Sequence, residues 1–395
     1  MREEALPRTI PTPLLVGFAV ASIGGPLALV SLYFPSAAGG AIESAGLTAL
    51  LAAGLFAFPL AVWLRYSKTI ASAAGLAAFV AAAAGRRTAQ VQAAIWTVSY
   101  FLYIPYTVTF IVYDVLPVVF PGLAPHRWWL ELVIPIGIVG LVLLRLSVLL
   151  SLFAAAAVAQ LVLMLVLGAV ELDQVGASSA SFASHGTGPT IAHGTANVAL
   201  LFVCGSLPLF LGGEAKHGAA AIRVSLAVAF GGVVAYFVFA AFLLARVPAG
   251  LRAGELPGFA IANAYSGRTL AVVIGVASAV SVAALIVAEY VALSRLLHAF
   301  VGGRLRPLVL KIAGPFLLAD ALSLIDPERF YTYLLKPSLA ALFLSQFIVF
   351  VVFPLYAQRV ERRGIASAVA VAAVASGLMA FGFYTAVTTP FGAGT

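Results

Sequence analysis

The sequence predicts an all-α polytopic membrane protein made of two halves inserted with opposite polarity. Three observations lead there. Of 395 residues, 63% are hydrophobic and 9% charged, far outside the composition of an ordinary soluble domain. The apolar residues gather into eleven segments of membrane-crossing length, for which about 17 to 25 residues are needed. The first and the sixth of these carry glycine and proline near their centres, at corresponding places in the two halves.

In chain order the spans read 12–34, 44–64, 89–117, 129–144, 147–170, 195–213, 222–245, 269–293, 310–325, 335–357 and 365–388, here called helices 1 to 11. Helices 4 and 9 are the short ones, and helix 9 holds Asp320 inside it. Arg2 and Arg8 precede helix 1, and Ser36-Ala37-Ala38 follows it. That apolar run exceeds the core of a cleaved leader and ten more segments come after it, so helix 1 reads as a retained span. With the N-terminus in the cytoplasm, sixteen of the 22 lysines and arginines, Arg2 and Arg363 among them, fall inside and six outside. This asymmetry obeys the positive-inside rule and supports the helix count, because one missed span would invert every later loop.

The Gly-, Ser- and Thr-rich stretch Glu171 to Gly194 reads as the longest outer loop and divides the chain. Five helices before it (12–170) and five after it (195–357) form two repeats, helix 11 (365–388) is an addition, and residues 1–394 make one membrane domain. An odd number of helices per repeat turns the second upside down.

The breaks carry the chemistry. In Leu15 to Phe34 the interruption is Ser22-Ile23-Gly24-Gly25-Pro26; in Asn197 to Glu214 it is Cys204-Gly205-Ser206-Leu207-Pro208, then Gly212-Gly213. Lipid offers no partner for backbone groups freed by glycine and proline, so a break must face protein, water or a ligand. The N-terminal end of a half-helix stabilises a carboxylate, and the carbonyls ending the preceding half accept from an ammonium. A zwitterion is therefore expected with its carboxylate at Gly24 and Gly25 and its amine at carbonyls of Ala21, Cys204 and Gly205, in a site lined also by Ser22, Ile23, Ser206 and Leu207. Close helix packing through small residues is the other use of such glycines.

Tyr100, Tyr103 and Tyr106 share one face of helix 3, with Tyr103 as the candidate lining residue; packing or interface anchoring is the alternative. Ser278 and Ser281 of helix 8 offer hydroxyls for a sodium ion or for helix packing. Glu289 is the deepest carboxylate, a coupling-proton carrier or a static partner of a basic residue. Glu214 and His217 suit an inner gate, closed by pairing with a basic residue, or a solvated surface.

Four stretches resemble the amino acid–polyamine–organocation (APC) superfamily of permeases. They are the broken first helix, ASAAGLAAFVAAAAGRR before helix 3, FLGGE closing helix 6 and VALSRLLHAF closing helix 8, spread over residues 12 to 360. The resemblance implies the five-plus-five inverted repeat of the leucine-transporter type, with substrate held between helices 1, 3, 6 and 8. Two departures stand out. The first break lacks the family's Gly-x-Gly pattern, and Lys216-His217-Gly218 and Arg223 lack the prolines usual after the helix 6 glutamate. Helix 5 also lacks the lysine by which some proton-coupled members replace sodium.

The expected function is secondary active transport, by symport or antiport, of an amino acid or related organic amine across the inner membrane. Sodium or a proton is the candidate coupling ion, no cofactor or metal is expected, and the oligomeric state is open. One cysteine excludes a disulfide framework. The +8 charge lies between apolar runs and marks orientation, not nucleic-acid binding. No lysine follows a glycine, so no nucleotide-binding P-loop exists in the chain. A membrane enzyme acting on a lipid-like substrate would need more convergent acids and bases than Glu289 and Asp320 supply, and a channel would need a continuous polar stripe.

Overall fold

Eight stretches among the described residues are long and apolar enough to cross a bilayer. The first, Thr12–Tyr66, contains helices 1 and 2, and the shorter helices 4 and 9 complete the expected eleven. The computed structural model describes residues 6–362 and 364–388; Arg2, Arg363 and the two ends of the 1–394 domain lie outside them.

Helix 1 runs Thr12–Ser22, breaks, and resumes from Pro26 to Ala38; helix 2 is Ala45–Tyr66. Helix 3 runs from Arg86 through a π-helical turn at Ile111–Val115 to Val119, helix 4 is Arg127–Val142 and helix 5 Leu146–Val175. Helix 6 is Gly188–Leu200 followed by a 3-10 stretch, Val203–Leu211; helix 7 is Gly218–Leu244 and helix 8 Arg268–Val301. Helix 9 is Leu305–Ser323, helix 10 is Pro327–Val351 extended by Phe353–Arg359, and helix 11 is Ile365–Thr388.

Two helix starts move outward for capping reasons, and the ends of helices 5 and 8 run on to Val175 and Val301. Thr187 caps helix 6, its hydroxyl accepting from the Thr190 N–H at 3.4 Å, with proline in the first turn. The helix therefore starts at Gly188 instead of 195. Asp326 caps helix 10 in the same way, accepting from the Arg329 N–H at 3.1 Å ahead of Pro327, so that helix starts at 327 instead of 335. Helix 5 continues to Val175, which shortens the expected long loop to 176–187. What remains is pinned to helix 7 by Ser178 N–H to the Phe242 carbonyl (2.8 Å) and the Ser181 hydroxyl to the Ala241 carbonyl (2.9 Å).

Two short segments sit at corresponding places in the halves. Leu76–Ala84 lies between helices 2 and 3, on the N-terminal face; Pro257–Ser266 lies between helices 7 and 8, on the opposite face. The first is bounded by Gly75 (φ 53°) and Gly85 (φ 90°), backbone settings that disfavour a side chain. Helix 10 packs along helices 3 and 11. Ser99 and Ser338 lock helix 3 to helix 10 by donating to each other's carbonyl, both at 2.9 Å.

Candidate functional site

Helix 1 ends at Ser22 because the next residues cannot continue it. Gly24 and Gly25 hold φ of 111° and 73°, open to glycine at no steric cost, and Pro26 has no N–H to give to the preceding turn. The Ser22 hydroxyl folds back on the Ala19 carbonyl (2.9 Å), and the Gly24 N–H reaches the Ala21 carbonyl (3.2 Å) in a three-residue turn. The second half opens with the Gly25 carbonyl accepting from the Leu29 N–H at 3.1 Å.

The break is closely surrounded. A methyl on Gly25 would stand 2.3 Å from Gln160 Oε1 of helix 5 and 3.0 Å from Ser281 Oγ of helix 8; one on Gly24 would meet the Tyr33 ring at 3.4 Å. Gln160 is 2% exposed and neither of its amide atoms has a hydrogen-bond partner among the described residues. It was missed from sequence, where it is the lone amide in AAAAVAQLVLML.

Helix 6 breaks differently. After Leu200 the chain tightens into three-residue turns, such as Gly205 N–H to the Phe202 carbonyl at 2.9 Å, and stays 3-10 through Pro208. The expected gap at Cys204–Pro208 is thus a narrowed helix with a different hydrogen-bond ladder. The two breaks face each other: a methyl on Gly205 would lie 3.3 Å from Ile23 Cδ1. Cys204, Gly205, Ser206 and Leu207 are all buried. The Ser206 hydroxyl accepts from Gln346 Nε2 of helix 10 at 3.0 Å.

Aromatic rings line helix 3 beside these breaks. Trp96 packs on Phe210 of helix 6 (centroids 4.3 Å apart) and on Tyr100 (4.1 Å); Tyr103 meets Tyr106 at 4.9 Å, and Tyr106 meets Tyr331 of helix 10 at 5.5 Å. Glu289 lies within electrostatic range of Tyr33, Tyr100, Tyr103, Tyr106 and Cys204, and so belongs to the same centre. It is 0% exposed and neither carboxylate oxygen has a hydrogen-bond partner among the described residues. Ser278 and Ser281 donate to their own helix, at the Ile274 (2.9 Å) and Ala277 (3.0 Å) carbonyls; Ser278 also lies 3.4 Å from the Ser31 hydroxyl of helix 1.

At the N-terminal face Glu214 is buried against Arg295, with Arg295 Nε donating to Oε2 at 3.0 Å and Nη1 to the Ser294 hydroxyl at 3.0 Å. The segment before helix 1 crosses the same point. Ile10 N–H donates to the Glu214 carbonyl (3.0 Å), and Lys216 N–H donates to the Ile10 carbonyl (2.8 Å). His217 is exposed at the start of helix 7. Among the described residues no three histidines, cysteines or carboxylates are grouped as a metal site.

Solved structures share this arrangement of helices around two facing breaks. The chain resembles the Eremococcus coleocola manganese transporter, solved with an aromatic bis-isothiourea substituted compound: TM-score 0.61, 13% identity, 97% of this chain and 88% of that one covered. It also resembles Mhp1, a nucleobase-cation-symport-1 family transporter solved in a closed conformation with bromovinylhydantoin: TM-score 0.54, 14% identity, 98% and 93% covered. No protein-family profile and no curated protein matches the sequence. The chain therefore has the five-plus-five inverted-repeat, leucine-transporter-like fold of those two transporters.

Proposed function

We propose that this protein is a secondary transporter of the APC superfamily that carries an amino acid or related organic amine by alternating access. The observation that carries the reading is the unpaired Glu289 carboxylate in a buried centre where the two helix breaks meet the tyrosines of helix 3. A buried carboxylate without a cation is costly, and an ammonium group supplies one. Carbonyls at Ala21, Cys204 and Gly205 complete the amine's acceptors, and the half-helix beginning at Gly25 and Pro26 favours a carboxylate by its dipole. A single carboxylate is too little for acid–base catalysis on a lipid, which favours transport over an enzyme.

In this reading the repeats are residues 12–170 and 195–357, with 365–388 added, and the N-terminal face is cytoplasmic. Glu214 and Arg295 form the inner gate; rocking of the broken helices against the remainder exposes the site to each side in turn. Ser278 and Ser281, with helix 1 carbonyls, are the oxygens available to sodium.

Uptake of labelled amino acids and amines into proteoliposomes, under imposed sodium and proton gradients, tests the function. Accumulation of an amine, abolished by Gly205→Leu, is expected. No uptake or exchange of any amine under any gradient refutes it.

A further inference from the structure

Helix 8 sets the distance between the unpaired groups of the centre. It is continuous from Arg268 to Val301 and packs against helix 1. Two of its serines fix its register there. Ser278 Oγ lies 3.4 Å from Ser31 Oγ, and Ser281 Oγ lies 3.0 Å from the point that a Cβ on Gly25 would occupy. Ser281 is therefore level with the start of the second half of helix 1. Glu289 comes eight residues later, about 12 Å further along the axis. It comes eleven residues after Ser278, three turns plus about 20° of rotation, so it shares the face that Ser278 turns to helix 1.

The break end of this interval offers donors. The leading N–H groups of the half-helix Pro26–Ala38 have no intrahelical acceptor. Gln160 Oε1 crowds the same Gly25 point as Ser281, so the Gln160 amide sits at that helix start. Gln160 is 2% exposed, and among the described residues neither of its amide atoms is paired. The far end offers an acceptor: Glu289, 0% exposed, with both oxygens unpaired among the described residues. Arg295, six residues beyond it, is taken up by Glu214 and Ser294. Buried groups left in this way are costly, and a ligand with an anionic end and a cationic end satisfies both.

The interval is too long for an α-amino acid, whose ammonium nitrogen and carboxylate carbon are two bonds and about 2.5 Å apart. Allowing one hydrogen bond of about 2.8 Å at each end and the backward lean of the Glu289 side chain, roughly 5–6 Å is left to bridge. An extended chain gains about 1.2 Å per bond, so about four to six bonds fit. We propose that the substrate is an ω-amino acid of that length. Its carboxylate accepts from Gln160 Nε2 and from the N–H groups after Gly25, and its ammonium donates to Glu289. This assignment rests on the transporter reading above and names the substrate class within it; Gln160 is the residue that selects for the distant carboxylate.

Competition binding to the full chain in proteoliposomes tests it, with labelled 6-aminohexanoate as the probe and 4-aminobutanoate, alanine and hexylamine as competitors. Both ω-amino acids should bind, and alanine should compete at least tenfold more weakly than either. Gln160→Met, similar in volume but without the amide, should weaken 6-aminohexanoate at least fivefold and leave hexylamine, which has no carboxylate, unchanged. Glu289→Gln should weaken both. Alanine bound and accumulated in preference to the ω-amino acids overturns the substrate class while the transporter reading stands. Equal losses of 6-aminohexanoate and hexylamine in Gln160→Met overturn the role of Gln160. Absence of binding by both ω-amino acids overturns the proposal whatever else the protein carries.

Discussion

Opening the N-terminal face should be measurable through the chain's only cysteine. Cys204 sits buried at the helix 6 break, and the Glu214–Arg295 pair is the gate proposed for that face. Both side chains of the pair are 7% exposed. Removing one partner of a well-buried pair costs about 3–5 kcal/mol because it strands the other charge; near a water-facing end about 2 kcal/mol is the appropriate figure. At about 1.4 kcal/mol per decade, Glu214→Gln should favour the open state roughly thirtyfold. The assay is the rate at which a charged, membrane-impermeant thiol reagent alkylates Cys204 in vesicles exposing the N-terminal face. A rise of one to two decades is expected, with little change when the reagent is applied from the other side. Equal rates in wild type and Glu214→Gln would refute the gate, as would equal acceleration from both sides.

Other substitutions bear on the centre and the scaffold. Gly25→Ala places a methyl 2.3 Å from Gln160 Oε1 at φ 73°, so it should weaken substrate binding at least tenfold in equilibrium binding. Adding Gln160→Ala should recover part of that loss, and no recovery would exclude the clash as its cause. Glu289→Gln keeps the volume of a 0% exposed side chain and removes a charge-assisted contact worth about 1.5–3 kcal/mol. Amine affinity should fall roughly 10- to 150-fold at constant thermal stability; undiminished affinity would remove Glu289 from the site. Ser99→Ala and Ser338→Ala each delete one of two reciprocal bonds, and each should lower stability by about 1 kcal/mol. Thermal unfolding in detergent, run as a double-mutant cycle, checks whether the two act together.

The helices were legible because lipid imposes length and composition on every span. The first break was legible for a local reason: Gly24-Gly25-Pro26 denies the backbone both an ordinary φ and a donor. The start of helix 6 was misplaced because its polar first turn resembles loop, and only the Thr187 cap with Pro189 reveals it. What could not be read was pairing across the chain. Glu214 was read as one half of a gate, but its partner Arg295 is 81 residues away; Glu131 and Ser323 are 192 apart. Gln160 carries no local signal of its position against Gly25, because that contact depends on how helix 5 rotates about its axis.

The two main-chain bonds that fasten Ile10 around Glu214 and Lys216 make the leading segment a latch on the part proposed to move. Swinging the lower half of helix 1 outward stretches that latch unless the end of helix 6 travels with it. In the proposed alternating access, the first step on this face is therefore a joint excursion of both chain segments, or a peeling of the latch that leaves helix 6 behind.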